Sequence, residues 1–479
     1  MSTSDLFPKY RSEMEYVCQD CGSRYSAMEL HYTCPSCGGV FLLADKNFHS
    51  LVQKGGKYWR EIFDARAASK DPALSGIFRF YELMAPILER EDIVWLGEAH
   101  TPIINATSKL RSEVGVELAF KNDGQNPSAS FKDRGMACAF SYLQSMVRQQ
   151  GWDQILTVCA STGDTSASAA MYAAYVGDPI KSVVLLPQGK VTPQQLSQPL
   201  GSGATVLELP GFFDECMMVV EYLADNYRVA LLNSKNSWRI LGQESYAYEI
   251  AQWYDWDLSG KVIFVPIGNA GNISAVLSGF LKLHKLGIIS ALPRVMGVQS
   301  HHADPVYRFY SQPEENRKYQ PVQVSASVAQ AAMIGNPVSF PRVRTLVEEY
   351  VKQGGENSFT VVQVREQEII EGMLRANKYG HIACTQGGEC LAGLLKSRRE
   401  GLIDRSETAI LDATAHSLKF QQFQEKYFDN TFPPEYEIEP KQEYINRPVA
   451  VFPEEVRDRL GKEEYIAQSA QEIVKRLGL

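Results

Sequence analysis

Four of the chain's nine cysteines, Cys18, Cys21, Cys34 and Cys37, are spaced as C-x2-C-x12-C-x2-C. Two closely spaced thiolates grip one metal from a tight turn, and a second pair completes a tetrahedron around Zn2+. Gly22, and Gly38 with Gly39, follow the second cysteine of each pair, where a knuckle needs permissive backbone. The spacing predicts a structural zinc ribbon with all four ligand positions filled. The alternatives are four unrelated reduced thiols or a redox pair, and the latter lacks the strand–helix context it needs. The other five, Cys138, Cys159, Cys216, Cys384 and Cys390, are scattered and read as small buried residues.

A second chemical feature is Lys132 in "NPSASFKDRGMACAF", between a turn-forming stretch and a helical pattern. Alone, it is either a solvated charge at a helix start or a nucleophilic amine. Two loops elsewhere bear on the choice. In "VCASTGDTSASAAMYAAYVG", Ser161, Thr162, Gly163, Asp164, Thr165, Ser166 and Ser168 crowd one helix start. Free amide N–H groups and the helix dipole attract an anion there. One hydroxyl would suffice as a plain cap, so the excess favours binding. In "VIFVPIGNAGNISAVLSGF", Gly268, Asn269, Ala270, Gly271 and Asn272 again link a strand to a helix. The loop matches neither the dinucleotide nor the P-loop fingerprint, yet its glycines can expose amides toward a phosphate. A tight turn is the plain alternative. Two anion cradles and one loop-borne lysine point to pyridoxal phosphate, which needs a lysine for a Schiff base and a nest for its phosphate.

Short β-branched runs alternating with helical patterns would position these groups. "VELAFKN", "QILTVCA", "KSVVLLP", "ATVLELP", "RVALLN", "KVIFVPIG", "RVMGVQ", "FTVVQV" and "TAILDAT" read as strands. They are too many for one modest sheet. Two α/β domains with mainly parallel sheets are expected, the cofactor in the cleft between them. Expected boundaries are 1–45 for the ribbon, 46–135 with 260–420 for a larger α/β domain, 136–259 for a smaller one, and 421–479 for a proline-rich, acidic arm ending in a helix. Helices are expected over "LGQESYAYEIAQWY" and "GNISAVLSGFLKLHKLG", among others.

A net charge of -8 gives no basic footprint, which argues against nucleic acid as the main partner. No apolar run is long enough to cross a bilayer, and the N-terminal residues lack the apolar core of a signal peptide, so a cytoplasmic protein is expected.

From about Leu96 to Phe420 the sequence resembles the threonine synthases, in the tryptophan-synthase-β-like group (fold type II) of pyridoxal-phosphate enzymes. "LGEAHTP" is similar to that family's "LGEGxTP", "NPSASFKDRGM" to "NPTGSFKDRGM", and "STGDTSAS" to "STGNTSAS". "PIGNAGNI", "NSKNSWRILGQES", "IGNP" and "TAHSLKF" also have counterparts in matching order. The resemblance implies Lys132 as the Schiff-base lysine and proton shuttle. It implies Gly268, Asn269, Ala270, Gly271 and Asn272 around the cofactor phosphate, Asp164 facing the ring hydroxyl and Thr414 at the ring nitrogen. It places the substrate phosphate among Ser161, Thr165, Asn233, Ser234 and Arg239.

The implied reaction turns O-phospho-L-homoserine and water into L-threonine and phosphate, in a homodimer. Two departures stand out: Asp164 where asparagine is frequent, and Ala99 with His100 in "GEAHTP". His301 and His302 in "QSHHADP" carry no assignment. A related enzyme using O-phosphoserine, of the cysteate or cysteine synthase kind, is the nearest rival. A metabolite-binding protein that kept the fold, and a ribbon-bearing nucleic-acid module, are more distant ones.

Overall fold

The computed structural model describes residues 8, 10–161, 163–188, 193–211 and 213–479. Thr162, one of the expected loop hydroxyls, lies outside them, as do eight of the first sixteen residues, the stretch weighed for a signal peptide. The strands are β1 (Met14–Cys18), β2 (Arg24–Ser26), β3 (Phe41–Asp45), β4 (Ile103–Asn105), β5 (Glu117–Asn122), β6 (Ile155–Ala160), β7 (Ile180–Pro187), β8 (Thr205–Leu209), β9 (Val229–Leu231), β10 (Lys261–Pro266), β11 (Arg294–Ser300), β12 (Phe359–Val364) and β13 (Thr408–Ala413). Each of the nine apolar runs read as a strand contains one.

They form three sheets. The order β2-β1-β3 makes a small antiparallel sheet around the cysteine-rich segment. The order β12-β11-β10-β13-β5-β4 makes a six-stranded sheet, parallel except for β4 at its edge. The order β8-β7-β6-β9 makes a four-stranded parallel sheet. The burial patterns explain the difference. In β10 five consecutive residues, Val262 to Pro266, are buried, because helices cover both faces of a parallel sheet. In β1 burial alternates, because only one face meets the core.

One expected helix is divided. "LGQESYAYEIAQWY" is not one helix. It spans the end of Ser237–Gln243 and all of Ser245–Trp253. The earlier start comes from Asn236, whose side chain accepts from the N–H groups of Trp238 and Arg239 and so caps the helix inside the "NSKNSWR" stretch. The arm packs closely at first. Helix Gln421–Asp429 buries Phe423 and Tyr427. Beyond it, Lys441 pairs with Glu371 at 2.7 Å and Tyr444 accepts from Arg375 at 2.8 Å. The final helix, Lys462–Leu477, buries none of its residues.

Candidate active site

Parallel strands end with the same polarity, so the loops beyond their carboxyl ends gather on one rim, where α/β sheets bind ligands. In the larger sheet β5 leads toward Lys132, β10 into Gly268–Asn272 and β13 into Thr414, and β13 lies between the other two. In the smaller sheet β6 leads into Ser161–Thr165 and the adjacent β9 into Asn233 and Ser234. Every loop singled out by composition therefore sits at such an end.

Lys132 is the first residue of helix Lys132–Gln150 and is half-buried. Burial and the Arg239 charge pull its ammonium down to about 7, with Lys419 acting in the same direction and Asp164 and Asp412 opposing. A neutral amine near pH 7 is a competent nucleophile and base. The flanking residues hold it in place. Asp133 accepts from the Ser128 N–H at 2.7 Å and the Ser128 hydroxyl at 2.6 Å, and takes a third bond from Ser168. Arg134 is buried and binds Asp123 at 2.8 Å and Glu249 at 2.6 Å, while Lys121 also contacts Glu249. The Phe131 N–H donates to the Thr414 carbonyl at 2.8 Å, tying the lysine's neighbour to β13's outgoing loop.

The glycine loop is closed from above. A Cβ at Gly268 would lie 2.8 Å from Ala332 Cα, so only glycine permits that approach. Ala270 has φ +61, and the Ser339 N–H donates to the Asn269 carbonyl at 3.1 Å. Asn272 donates to Asp412 Oδ2 at 2.8 Å, binding the loop to β13. Burial, with Asp123 nearby, raises the Asp412 carboxyl well above its ordinary range, so it favours the neutral form. Thr414, two residues along, is buried with its hydroxyl 3.4 Å from Cys384 Sγ.

The structure brings Arg239 close enough to Lys132 to shift its titration. Glycines permit this. A Cβ at Gly135 would lie 2.9 Å from the Arg239 carbonyl oxygen, and one at Gly242 would lie 2.2 Å from that of Arg134. Helices Lys132–Gln150 and Ser237–Gln243 therefore touch backbone to backbone. Arg239 is buried. It donates through one terminal nitrogen to the Leu232 carbonyl at 2.9 Å, while its Nε has no partner among the described residues. A buried, under-paired guanidinium is suited to an oxyanion. Ser161 accepts from the Gly163 N–H at 3.2 Å, and Thr165 is half-buried in the first turn of helix Asp164–Val176. Asn233 accepts from the Lys235 N–H at 2.9 Å, and the Ser234 carbonyl accepts from Arg342 at 2.9 Å. Those bonds fix the loop's shape.

Three groups escaped sequence reasoning. Lys419 pairs with Asp164 at 2.7 Å, so the departure to aspartate brings its own counter-charge. Lys419 stood in the quoted "TAHSLKF", and its nearness to Thr414 was the available signal. Asp412 lies in β13, two residues before Thr414, and that spacing was its available signal. The Arg134–Glu249 contact joins distant segments and left no local signal. His100 is a packing residue: its Nε2 lies 3.2 Å from the Gly76 carbonyl oxygen, and burial holds its ring down to about 4. Ala99 and His100 both have positive φ, as does Ala129 in the turn before Lys132, where the resembling motif has glycine.

The four cysteine sulfurs lie within 4.8 Å of one another, with Cys18 to Cys37 at 3.5 Å and Cys21 to Cys34 at 3.7 Å. Bonds of about 2.3 Å in a tetrahedron imply sulfur separations of roughly 3.8 Å, so the cluster fits one zinc ion. The small sheet docks on the site. Trp238 donates to the Tyr16 hydroxyl at 3.0 Å and stacks on Tyr142, and the Phe41 carbonyl accepts from Ser237 and Arg342. No helix among the described residues is long and apolar enough to cross a membrane.

Residues 94–411 match the family model described as pyridoxal-phosphate dependent enzyme. The threonine synthase of Methanocaldococcus jannaschii is 35% identical over 405 residues, covering 84% of this chain and 92% of that one. The chloroplastic threonine synthase 2 of Arabidopsis thaliana is 33% identical, covering 80% and 72%. The crystal structure of threonine synthase from yeast overlays with a TM-score of 0.62 at 19% identity, covering 91% of this chain and 94% of that one, which speaks to the fold. The rim of loops around Lys132 thus belongs to a pyridoxal-phosphate enzyme, and the chain is a member of the threonine synthase family.

Proposed function

We propose that this chain converts O-phospho-L-homoserine and water to L-threonine and phosphate. The observation that carries the reading is the buried, under-paired Arg239 beside an amine poised near neutrality. One phosphate cradle is built at Gly268, Asn269, Ala270, Gly271 and Asn272 for the cofactor. A second lies among Ser161, Thr165, Asn233, Ser234 and Arg239 for the substrate. Pyridoxal phosphate, when bound, supplies a ring that accepts the electron pair released on proton removal.

The chain's own groups do the rest. Lys132 takes the α proton and then a β proton from the substrate. Arg239 holds the phosphate as it leaves the γ carbon, and water then adds at the β carbon. The Thr414 hydroxyl would serve the ring nitrogen. It offers a hydrogen bond without a full negative charge, which suits an unprotonated ring. Asp164, balanced by Lys419, would face the ring hydroxyl.

The two parallel sheets are read as the two α/β domains with the cofactor between them, within the boundaries 46–135 with 260–420 and 136–259. The cysteine cluster, Cys18, Cys21, Cys34 and Cys37, is read as a structural zinc ribbon. A homodimer is read from the family resemblance, and a cytoplasmic location is proposed with it.

The test is product identification with phosphate release measured on O-phosphohomoserine and O-phosphoserine in parallel. L-threonine from the first supports the reading. Phosphate released only from O-phosphoserine would transfer it to the β-replacement rival.

A further inference from the structure

His301 and His302 follow β11 and hold no role assigned above. Two backbone bonds set their turn: the His301 N–H donates to the Val364 carbonyl at 2.9 Å, and the His302 N–H donates to the Ser300 hydroxyl at 3.0 Å. The rings lie with centroids 4.0 Å apart, tilted at 35°. Both aim at one carboxylate on the arm. His301 Nε2 lies 3.1 Å from Glu437 Oε2, and His302 Nε2 lies 3.7 Å from Glu437 Oε1. The three ligand atoms are all within 4.8 Å of one another.

The tautomer of His302 is set by its other nitrogen. Nδ1 lies 2.6 Å from the Ala326 carbonyl oxygen, so Nδ1 carries the proton and donates it. Nε2 then meets the carboxylate either across a proton of its own, as an imidazolium, or across a bound cation that takes its lone pair. A ring N–H donated to a backbone carbonyl is the usual support of a metal-binding histidine. Ligands about 2.0–2.1 Å from a tetrahedral zinc ion are roughly 3.3 Å apart, a spacing that falls between the 3.1 Å and 3.7 Å separating the two Nε2 atoms from the two oxygens of Glu437. Glu437 is held at φ +53, an uncommon conformation for a side chain of its kind. The other carboxylate nearby, Glu366, has Oε1 3.8 Å from His302 Nδ1 and is engaged by Ser300, Ser327 and the Val328 N–H.

We propose that His301, His302 and Glu437 form a second divalent-metal site, taking a zinc-class cation through two imidazoles and one carboxylate, with water completing the coordination. The metal fastens the C-terminal arm to the covering segment over the glycine loop. The Ser325 N–H donates to the His302 carbonyl at 3.1 Å, and the same segment continues to Ala332, which closes over Gly268.

The test counts metal on the full-length holoenzyme. With the cysteine cluster already zinc-loaded, calorimetric titration with zinc chloride should show one further equivalent. Glu437→Gln and His301→Gln should each lose it, with cofactor absorbance retained as the check on folding. Cys34→Ser should keep it. Hydrogen exchange in residues 438–445 should slow when that equivalent binds. Cobalt substitution of the unaltered chain gives a second measurement, in which the further equivalent should show d–d bands without thiolate charge transfer. No equivalent beyond the cysteine cluster would mean that the trio is only an ion pair, and would overturn the proposal. So would a further equivalent with thiolate charge transfer, or one that both variants bind undiminished.

Discussion

Lys419 Nζ lies 2.7 Å from Asp164 Oδ1 and also donates to the Ser128 carbonyl at 2.8 Å, so one ammonium joins the helix start after β6, the turn before Lys132 and the loop after β13. An aspartate facing a cofactor ring would otherwise add an uncompensated charge to a closed cleft. The pair also opposes itself at Lys132: Asp164 pulls the amine's titration up and Lys419 pulls it down.

Removing Lys419 should therefore cost more than removing the pair. Lys419→Met is expected to weaken pyridoxal phosphate binding by about tenfold, equal to ~1.4 kcal/mol. Asp164→Asn in the same chain should recover most of that loss. Fluorescence titration of the apo-protein with cofactor measures both. A double variant no better than the single one would remove charge balance as the reason for the pair.

The Lys132 amine sits at about 7, where an ordinary lysine sits at 10.5. Between those values the folded chain binds fewer protons than the unfolded one, so this group's contribution to stability rises with pH across that window. The neutral amine fraction rises through the lower value. Covalent capture of pyridoxal phosphate by apo-protein should be half-maximal near pH 7 and flat above it. In Lys419→Met a positive neighbour is lost, so the midpoint should move to higher pH. Stopped-flow absorbance across a pH series reads both curves.

A methyl group at Gly242 would lie 2.2 Å from the Arg134 carbonyl oxygen. Gly242→Ala should force apart the two helices that bring Arg239 to Lys132. We expect a loss of about 1–3 kcal/mol in urea unfolding, from overpacking. KM for the phosphorylated substrate should rise more than kcat falls, because Arg239 is displaced while Lys132 keeps its own supports.

Arg134 neutralises two buried carboxylates, Asp123 and Glu249. Arg134→Met would leave Glu249 with Lys121 alone and Asp123 without its ion pair, at a cost of about 3–5 kcal/mol. Arg134→Lys should rescue little, because an ammonium cannot serve both carboxylates with a planar fork. Chemical denaturation of the three proteins ranks them.

Loss of the zinc proposed for the cysteine cluster should be felt at the active site. Tyr16 and Phe41 contact Trp238 and Ser237, which lie on the helix that carries Arg239. Chelation, or Cys34→Ser, is expected to change Trp238 emission and raise KM for the phosphorylated substrate several-fold, with cofactor absorbance retained. Unchanged KM after verified metal loss would detach the ribbon from substrate binding.

Local chemistry made much of this protein legible in one dimension. Period and β-branching marked nine of the ten strands of the two larger sheets; the three-residue edge strand β4 carried no such signal. Glycine and hydroxyl content marked the loops at their carboxyl ends, and C-x2-C spacing marked the cysteine cluster. All are contacts between near neighbours in the chain, so a sequence carries them directly. Strand order, the approach of Arg239 to Lys132 through Gly135 and Gly242, the balancing of Asp164 by Lys419, and the meeting of His301 and His302 with Glu437 depend on residues far apart in the chain. No local pattern encodes such distances. Only packing, which must fill the core and pair each buried charge, decided which distant side chains came to share a site.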